Sequence, residues 1–350
     1  MHNEGVEVLK QIYNHLADEK SREIFENRVL YSITNKPEFI QNIVLEIPEG
    51  QEFFSRLKKA SSETELVIFG AGFWGTSIIS ATKDYAWKCF IDNNPKTKIH
   101  EEIPVLSFTD FMKNYNGETI VVSSRIHYVE MYQQLIDNGI SEKSIINAGE
   151  LIDLLSKKQY FDLEAMTPAC EGEVFVDVGA FDGKTSLEFF GWCNGNGFVY
   201  AFEPDGKNQQ KLSSNLEQDQ VPYEIVPKGA WSEKTTLYFE EKSNGTSCIT
   251  DTVSERNVFE IPVTTLDEVF KNTDRIATFV KMDIEGSELE ALKGARGLIE
   301  EHRPKLAISI YHKDEDIWEL PKLILKYKSD YKFYLRHYSL TSAETVLYAI

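Results

Sequence analysis

The run Val174–Ser186, VFVDVGAFDGKTS, constrains this chain more than any other stretch. A continuous apolar segment ends in Asp177, a turn with Gly179 and Gly183 follows, and a helix-compatible stretch begins at Lys184. Doubly wound α/β sheets build small-molecule pockets in this way, at the carboxyl end of the first strand. The two glycines permit φ > 0 or close backbone approach. The spacing is not that of a dinucleotide fingerprint, because Ala180, Phe181 and Asp182 separate the glycines and place an acid where a pyrophosphate would be repelled.

Further strand ends extend the pattern. Glu203 closes a second strand in YAFEP, where a carboxylate before Pro204 can accept both hydroxyls of a ribose. Gly229–Ala230 follow a third strand, where small residues leave room for a flat adenine. Asp283 closes a fourth in VKMDIEG, with Glu285 two residues on, so both carboxylates face one pocket if the chain stays extended. His312 follows the next strand, and an imidazole is the natural base near neutral pH, although a lone histidine is more often structural. Lys281 reads as a sheet-edge or pocket cation that orients a carboxylate. Backbone N–H groups beside carboxylates suit a ligand with hydroxyls, an ammonium and a sulfonium, and S-adenosylmethionine has all three.

These residues resemble the FkbM family of S-adenosylmethionine-dependent methyltransferases. The likeness covers about Glu171–Ile350. It rests on Asp177–Ala180 with Gly183, on Phe202–Pro204, on Thr265–Asp267, and on the run Lys281–Glu288, KMDIEGSE. The resemblance implies a class I methyltransferase fold, a doubly wound α/β sheet of seven strands with the last antiparallel. It implies O-methylation of sugars, glycans or related natural products. Carried over, Asp177, Gly179, Ala180 and Gly183 shape the methionine end of the cofactor site, Asp182 and Thr185 bond its amino or carboxyl group, and Glu203 holds the ribose. Asp283, Glu285 and His312 are the candidate bases. A divalent metal on these groups ranks below direct base catalysis, because no metal-ligand spacing is recognisable.

The resemblance stops short of the first 150 residues. Helical periodicity (Val6, Leu9, Ile12, Tyr13, Leu16) suggests a helical segment over 1–60, with further helices across Ser21–Leu30 and Gln51–Lys59. Strands at Leu66–Phe69, Trp87–Ile91, Thr119–Ser123 and Ser144–Ile146 then alternate with helices, giving a small Rossmann-like domain over 61–150. Gly70, Gly72 and Gly75 match G-x-G-x-x-G after its first strand, and Asp92 ends its second at the ribose position. This site suits a nucleotide or nucleotide-sugar, or NAD(P), unless the domain serves docking. Residues 151–170 read as a connector and 171–350 as the methyltransferase domain. The alternative to an enzyme is a nucleotide-sugar-binding or scaffold protein with an inactive second half.

The net charge of −19 would repel a phosphate backbone, so nucleic acid is not an expected partner. The expected partner is a small-molecule or glycan acceptor, with homo-oligomerisation open. Four scattered cysteines and no apolar signal core or membrane-length run point to a cytoplasmic protein. Thr235–Val263 reads as a β-rich insertion, with a polar loop at Lys242–Ser247 expected to contact the acceptor.

Overall fold

The structure is a computed structural model that describes residues 4–157, 159–241, 247–249, 258–271 and 273–350. Four helices come first: α1 (Glu4–His15), α2 (Glu19–Thr34), α3 (Glu38–Val44) and α4 (Pro48–Glu63). Asp18 starts α2 by accepting hydrogen bonds from the Ser21 backbone N–H, at 2.8 Å, and from the Ser21 hydroxyl. Proline begins α4, where its missing N–H costs nothing. Helix α3 carries no periodic signal long enough to register in the sequence.

Two compact units emerge: Glu26–Lys157 with His337–Glu344, and Met1–Phe25 with Lys158–Arg336 and Thr345–Ile350. These boundaries differ from linear ones. The first helix joins the second unit because α1 packs on α14 (Asp316–Tyr327), and Ala17 N–H bonds Phe333 O at 2.8 Å.

The first unit holds β1 (Leu66–Phe69), β2 (Trp87–Asp92), β3 (Ile99–His100), β4 (Ile103–Ser107), β5 (Thr119–Val122) and β6 (Ile145–Asn147) in the order β3-β4-β2-β1-β5-β6. All neighbours are parallel except β3 and β4. Strand β1 is buried along its whole length. Leu66 and Ile68 enter one core with Phe53, Leu57 and Ile78, while Val67 and Phe69 enter the opposite core with Ile91 and Leu135. That two-sided burial is why β1 reads as a continuous apolar run. Helices α5 (Phe73–Ala81), α6 (Phe108–Met112), α7 (Tyr128–Asp137) and α8 (Ala148–Ser156) complete the unit. Strands β3 and β4 are additional to the four expected. Pro104 and their shortness hid them.

The second unit has a seven-stranded sheet: β7 (Glu173–Val178), β8 (Gly197–Phe202), β9 (Tyr223–Val226), β14 (Phe279–Met282), β15 (Lys305–Ser309), β16 (Phe333–His337) and β17 (Thr345–Ala349). The order is β16-β17-β15-β14-β7-β8-β9. Strands β7, β8, β9, β14 and β15 are parallel, and β17 runs antiparallel to β15, as expected. Helices α9 (Lys184–Trp192) and α10 (Gly206–Gln218) follow β7 and β8. The chain order reverses between β7 and β14, so the crevice at their carboxyl ends is the topological switch point.

The insertion forms its own sheet. Strands β10 (Gly229–Ala230), β11 (Thr235–Glu241), β12 (Ser247–Ile249) and β13 (Val258–Thr264) lie in the order β10-β13-β11-β12. Residues 242–246 of the proposed acceptor loop lie outside the described residues. Helix α11 (Leu266–Phe270) follows. Two short helices follow β14, α12 (Glu288–Lys293) and α13 (Arg296–His302). A Cβ on Gly294 would stand 1.9 Å from Trp231 O, and Asp267 caps the second helix through the N–H groups of Gly297 and Leu298. The break is therefore a tertiary demand, imposed by a neighbouring chain segment. Among the described residues no helix is long and apolar enough to cross a membrane.

Candidate functional site

The glycine turn after β7 is fixed by its neighbours. Gly179 has φ +84°, and a Cβ there would lie 2.1 Å from Asp283 O, so only glycine lets β7 and β14 end side by side. The N–H groups of Gly179 and Ala180 both bond Phe202 O, at 3.1 Å. Phe181 follows with φ +48°, its ring 57% exposed, and Gly183 with φ +80° precedes α9.

Under the turn lies a buried ion pair. Asp177 is fully buried, and Lys281 Nζ donates to its Oδ1 at 3.0 Å and to Gly179 O at 3.0 Å. Ser186, in the first turn of α9, donates to Asp177 Oδ2 at 2.8 Å. Burial alone would lower the lysine pKa, but Asp177, Asp283 and Glu288 outweigh it and hold it above its usual value. Lys281 sits on β14, between β7 and β15, so it is an interior cation and not a sheet-edge one. Asp177 and Lys281 brace the turn from beneath, and Ser186 supplies a hydroxyl to Asp177.

Glu203 ends β8 and is buried. Its Oε2 accepts from Phe181 N–H at 2.9 Å and its Oε1 from Asp205 N–H at 2.9 Å. Burial raises its pKa against these hydrogen bonds. The Glu203 carboxylate therefore meets the glycine turn directly, with Pro204 beside it. Asp182 pairs with Lys184, at 2.7 Å, while Thr185 is half-buried. Gly229 and Ala230 belong to the smaller sheet, paired with Val263 and Thr264 of β13, and not to the sheet that carries Asp177.

Beyond β14 and β15 the candidate reactive groups converge. The chain does not stay extended after Asp283: Glu285 and Gly286 turn it with φ +55° and +91°. Both carboxylates still reach His312, whose Nε2 lies 3.5 Å from Asp283 Oδ1 and 3.9 Å from Glu285 Oε2. On the other side of the ring, Nδ1 is 3.0 Å from Oε1 of fully buried Glu288. Burial pulls the imidazole pKa down, but Glu288, Asp283 and Glu285 outweigh it and raise it to about 9. The raised pKa favours the protonated ring over the free base expected there. Asp283 also accepts hydrogen bonds from the hydroxyls of Tyr160, at 2.9 Å, and Tyr311, at 3.1 Å. Asp316 flanks the cluster, its pKa pushed up to about 6 by burial and by Glu288.

Glu288, Tyr160, Tyr311 and Ser186 were not selected from sequence. Glu288 stood inside the KMDIEGSE run and Tyr311 beside His312, so both had a signal. Tyr160 had none, because it comes from the connector with φ +72° and reaches Asp283 only through the fold.

In the first unit, Gly70 has φ +116°, and a Cβ on Gly75 would stand 2.2 Å from Gly70 O. Gly72 faces open space at the start of α5. Asp92 Oδ2 accepts from Ala71 N–H at 3.0 Å. The turn after β1 and the acid that ends β2 are thus joined across the adjacent carboxyl ends of these two strands.

The methyltransferase FkbM domain family matches residues 177–335, which span the turn, Glu203, the Asp283 cluster and β15. Residues 177–335 are an FkbM methyltransferase domain. A crystal structure of methyltransferase FkbM from Methylobacillus flagellatus is similar at a TM-score of 0.51 and 20% identity, over 87% of this chain and 99% of that one. Fibrillarin from Aeropyrum pernix, solved with S-adenosyl-L-methionine bound, aligns at a TM-score of 0.37 and 10% identity, over 57% of this chain and 74% of its own. A precorrin-6y C5,15-methyltransferase from Geobacter metallireducens aligns at 0.35 and 12%, over 58% and 88%. No curated protein matches the sequence. The seven-stranded sheet of the second unit, with β17 antiparallel to β15, has the class I methyltransferase fold.

Proposed function

We propose that the FkbM domain transfers a methyl group from S-adenosylmethionine to a hydroxyl of a sugar, glycan or related natural product. The observation that carries this reading is the convergence of Asp283, Glu285 and His312 at the carboxyl ends of β14 and β15, beside the turn that Gly179 makes against Asp283 O. The cofactor fits the neighbouring strand ends. Gly179 lets β7 and β14 end side by side, and Glu203 offers a buried carboxylate at the ribose position of such sheets. The bound cofactor supplies a methyl carbon already activated by its sulfonium. The protein has to align the hydroxyl and take its proton.

Asp283 already accepts two tyrosine hydroxyls and stands 3.5 Å from His312 Nε2, which holds it as an orienting group. Glu285 is 65% exposed in its side chain and approaches His312 at 3.9 Å, so it is the carboxylate open to receive the proton. In this reading Asp283 holds the acceptor hydroxyl, Glu285 takes its proton, and Tyr160, Tyr311 and His312 fix Asp283.

Calorimetry with S-adenosylhomocysteine, together with methyl-transfer assays over a panel of sugars and glycans, tests the proposal. Asp283→Asn should lose transfer and keep S-adenosylhomocysteine affinity, while Glu203→Ala should weaken that affinity about tenfold or more, the loss of charge-assisted hydrogen bonds. Unchanged turnover in Asp283→Asn, or unchanged affinity in Glu203→Ala, contradicts the corresponding assignment.

A further inference from the structure

The cluster around His312 contains two polar atoms that have no hydrogen-bond partner among the described residues. Glu288 is fully buried, and its Oε2 has no partner. The His312 side chain is 10% exposed, and its Nδ1 likewise has none. Nδ1 and Glu288 Oε1 are 3.0 Å apart, yet the ring N–H direction misses that oxygen. Two donor atoms at this separation that do not point at each other are arranged like adjacent ligands of one ion. Ligands at about 2.1 Å from an octahedral cation are about 3.0 Å apart along an edge and about 4.2 Å apart across the ion. One ligand atom from each of Asp283, Glu288 and His312 lies within 4.8 Å of the other two, close enough for side-chain rotation to bring the three onto one ion.

We infer that Asp283, Glu288 and His312 form a binding site for one divalent first-row metal ion. Two carboxylates and one imidazole favour manganese- or iron-like ions over calcium, which prefers oxygen alone, and over zinc sites rich in sulfur. Fully buried Glu288 anchors the ion on the protein side. Asp283, a quarter exposed, leaves the outer side open for a ligand. Tyr160 and Tyr311 hold Asp283 in position as outer partners of a ligating carboxylate.

The use of the ion rests on the methyl-transfer reading, whereas its binding does not. A hydroxyl on the open face becomes more acidic. Its proton passes to Glu285 and on to water, its oxygen bonds the methyl carbon, and the carbon–sulfur bond breaks with the electron pair going to sulfur. The acceptor class this deepens is an alcohol, whose unaided acidity is too low for ready attack.

The full-length protein, stripped with chelator, is titrated with Mn²⁺ and followed by electron paramagnetic resonance. The wild type should bind one equivalent with half-saturation below about 100 μM, with nitrogen hyperfine coupling from one imidazole. His312→Asn should lose the nitrogen coupling. Glu288→Gln and Asp283→Asn should each weaken binding at least tenfold. S-adenosylhomocysteine affinity is measured on every variant to show that the domain is folded, and Asp283→Asn, the least buried of the three, serves if the others fail to fold. Absence of saturable Mn²⁺ binding to the wild type, or coupling that persists in His312→Asn, overturns the metal site. A wild type that binds Mn²⁺ but not S-adenosylhomocysteine would instead overturn the methyltransferase reading and leave the metal site standing.

Discussion

Lys281→Met isolates the ion pair under the glycine turn. Its two side chains are 4% and 0% exposed, and the substitution leaves Asp177 charged in a dry site with Ser186 as its remaining side-chain donor. Breaking such a pair from one side costs about 3–5 kcal/mol. For a domain of this size that lowers the melting temperature by roughly 6–20 °C. Adding Asp177→Asn removes the stranded charge, so the double variant should be more stable than Lys281→Met alone, with a coupling energy of about 2–3 kcal/mol. Cofactor affinity should not recover with stability. Lys281 Nζ also donates to Gly179 O at 3.0 Å, and neither methionine nor asparagine replaces that bond. Urea unfolding of the four proteins, with S-adenosylhomocysteine calorimetry on each, reads both effects. Additive destabilisation in the double variant, or a loss under about 1 kcal/mol in Lys281→Met, would refute the argument.

Three other expectations follow from the structure. In chelator, the His312 imidazole should titrate near pH 9 by NMR; because the folded pKa is raised from 6.5, its stabilising contribution is complete below pH 6.5 and is lost as pH rises through about 9. His337 behaves in the opposite sense: burial foremost, then Arg28, depresses its pKa to about 3, so its neutral form stabilises the first unit above pH 6.5 and that contribution is lost as pH falls toward 3. His337→Gln should accordingly flatten the acid limb of the melting-temperature profile, and an unchanged limb would count against the assignment. Gly75→Ala should destabilise the first unit by about 1–3 kcal/mol, since the new Cβ would meet Gly70 O at 2.2 Å and Phe90 Cε1 at 2.9 Å; a wild-type melting curve would show that the backbone yields there.

Strand ends were the most legible part of this molecule. β7 and β14 are buried on both faces, so VFVDV and FVKM read as strands from their apolar runs. Asp177, Glu203 and Asp283 stood out because each interrupts such a run at its carboxyl end. Glu288 was visible but unassigned, since an acid in the first turn of a helix normally serves the helix dipole. Here it is folded inward against His312. The raised pKa of His312 was not legible at all: an isolated imidazole titrates near 6.5, and three carboxylates of the segment 283–288 move it.

By itself, the sequence determined the alternation of strands and helices, the two glycine turns, and the family of the domain over residues 177–335. Those properties depend on local spacing and on residue types that tolerate few substitutes. The tertiary structure alone decided what the acids do. Asp177 became a buried brace paired with Lys281, Asp283 acquired two tyrosine donors, one of them from the distant connector, and Glu288 turned toward a ring that belongs to another strand end. A carboxylate's chemistry is set by the charges and donors within a few ångströms of it, and in this chain most of those neighbours are more than a hundred residues away or arrive from a separate element.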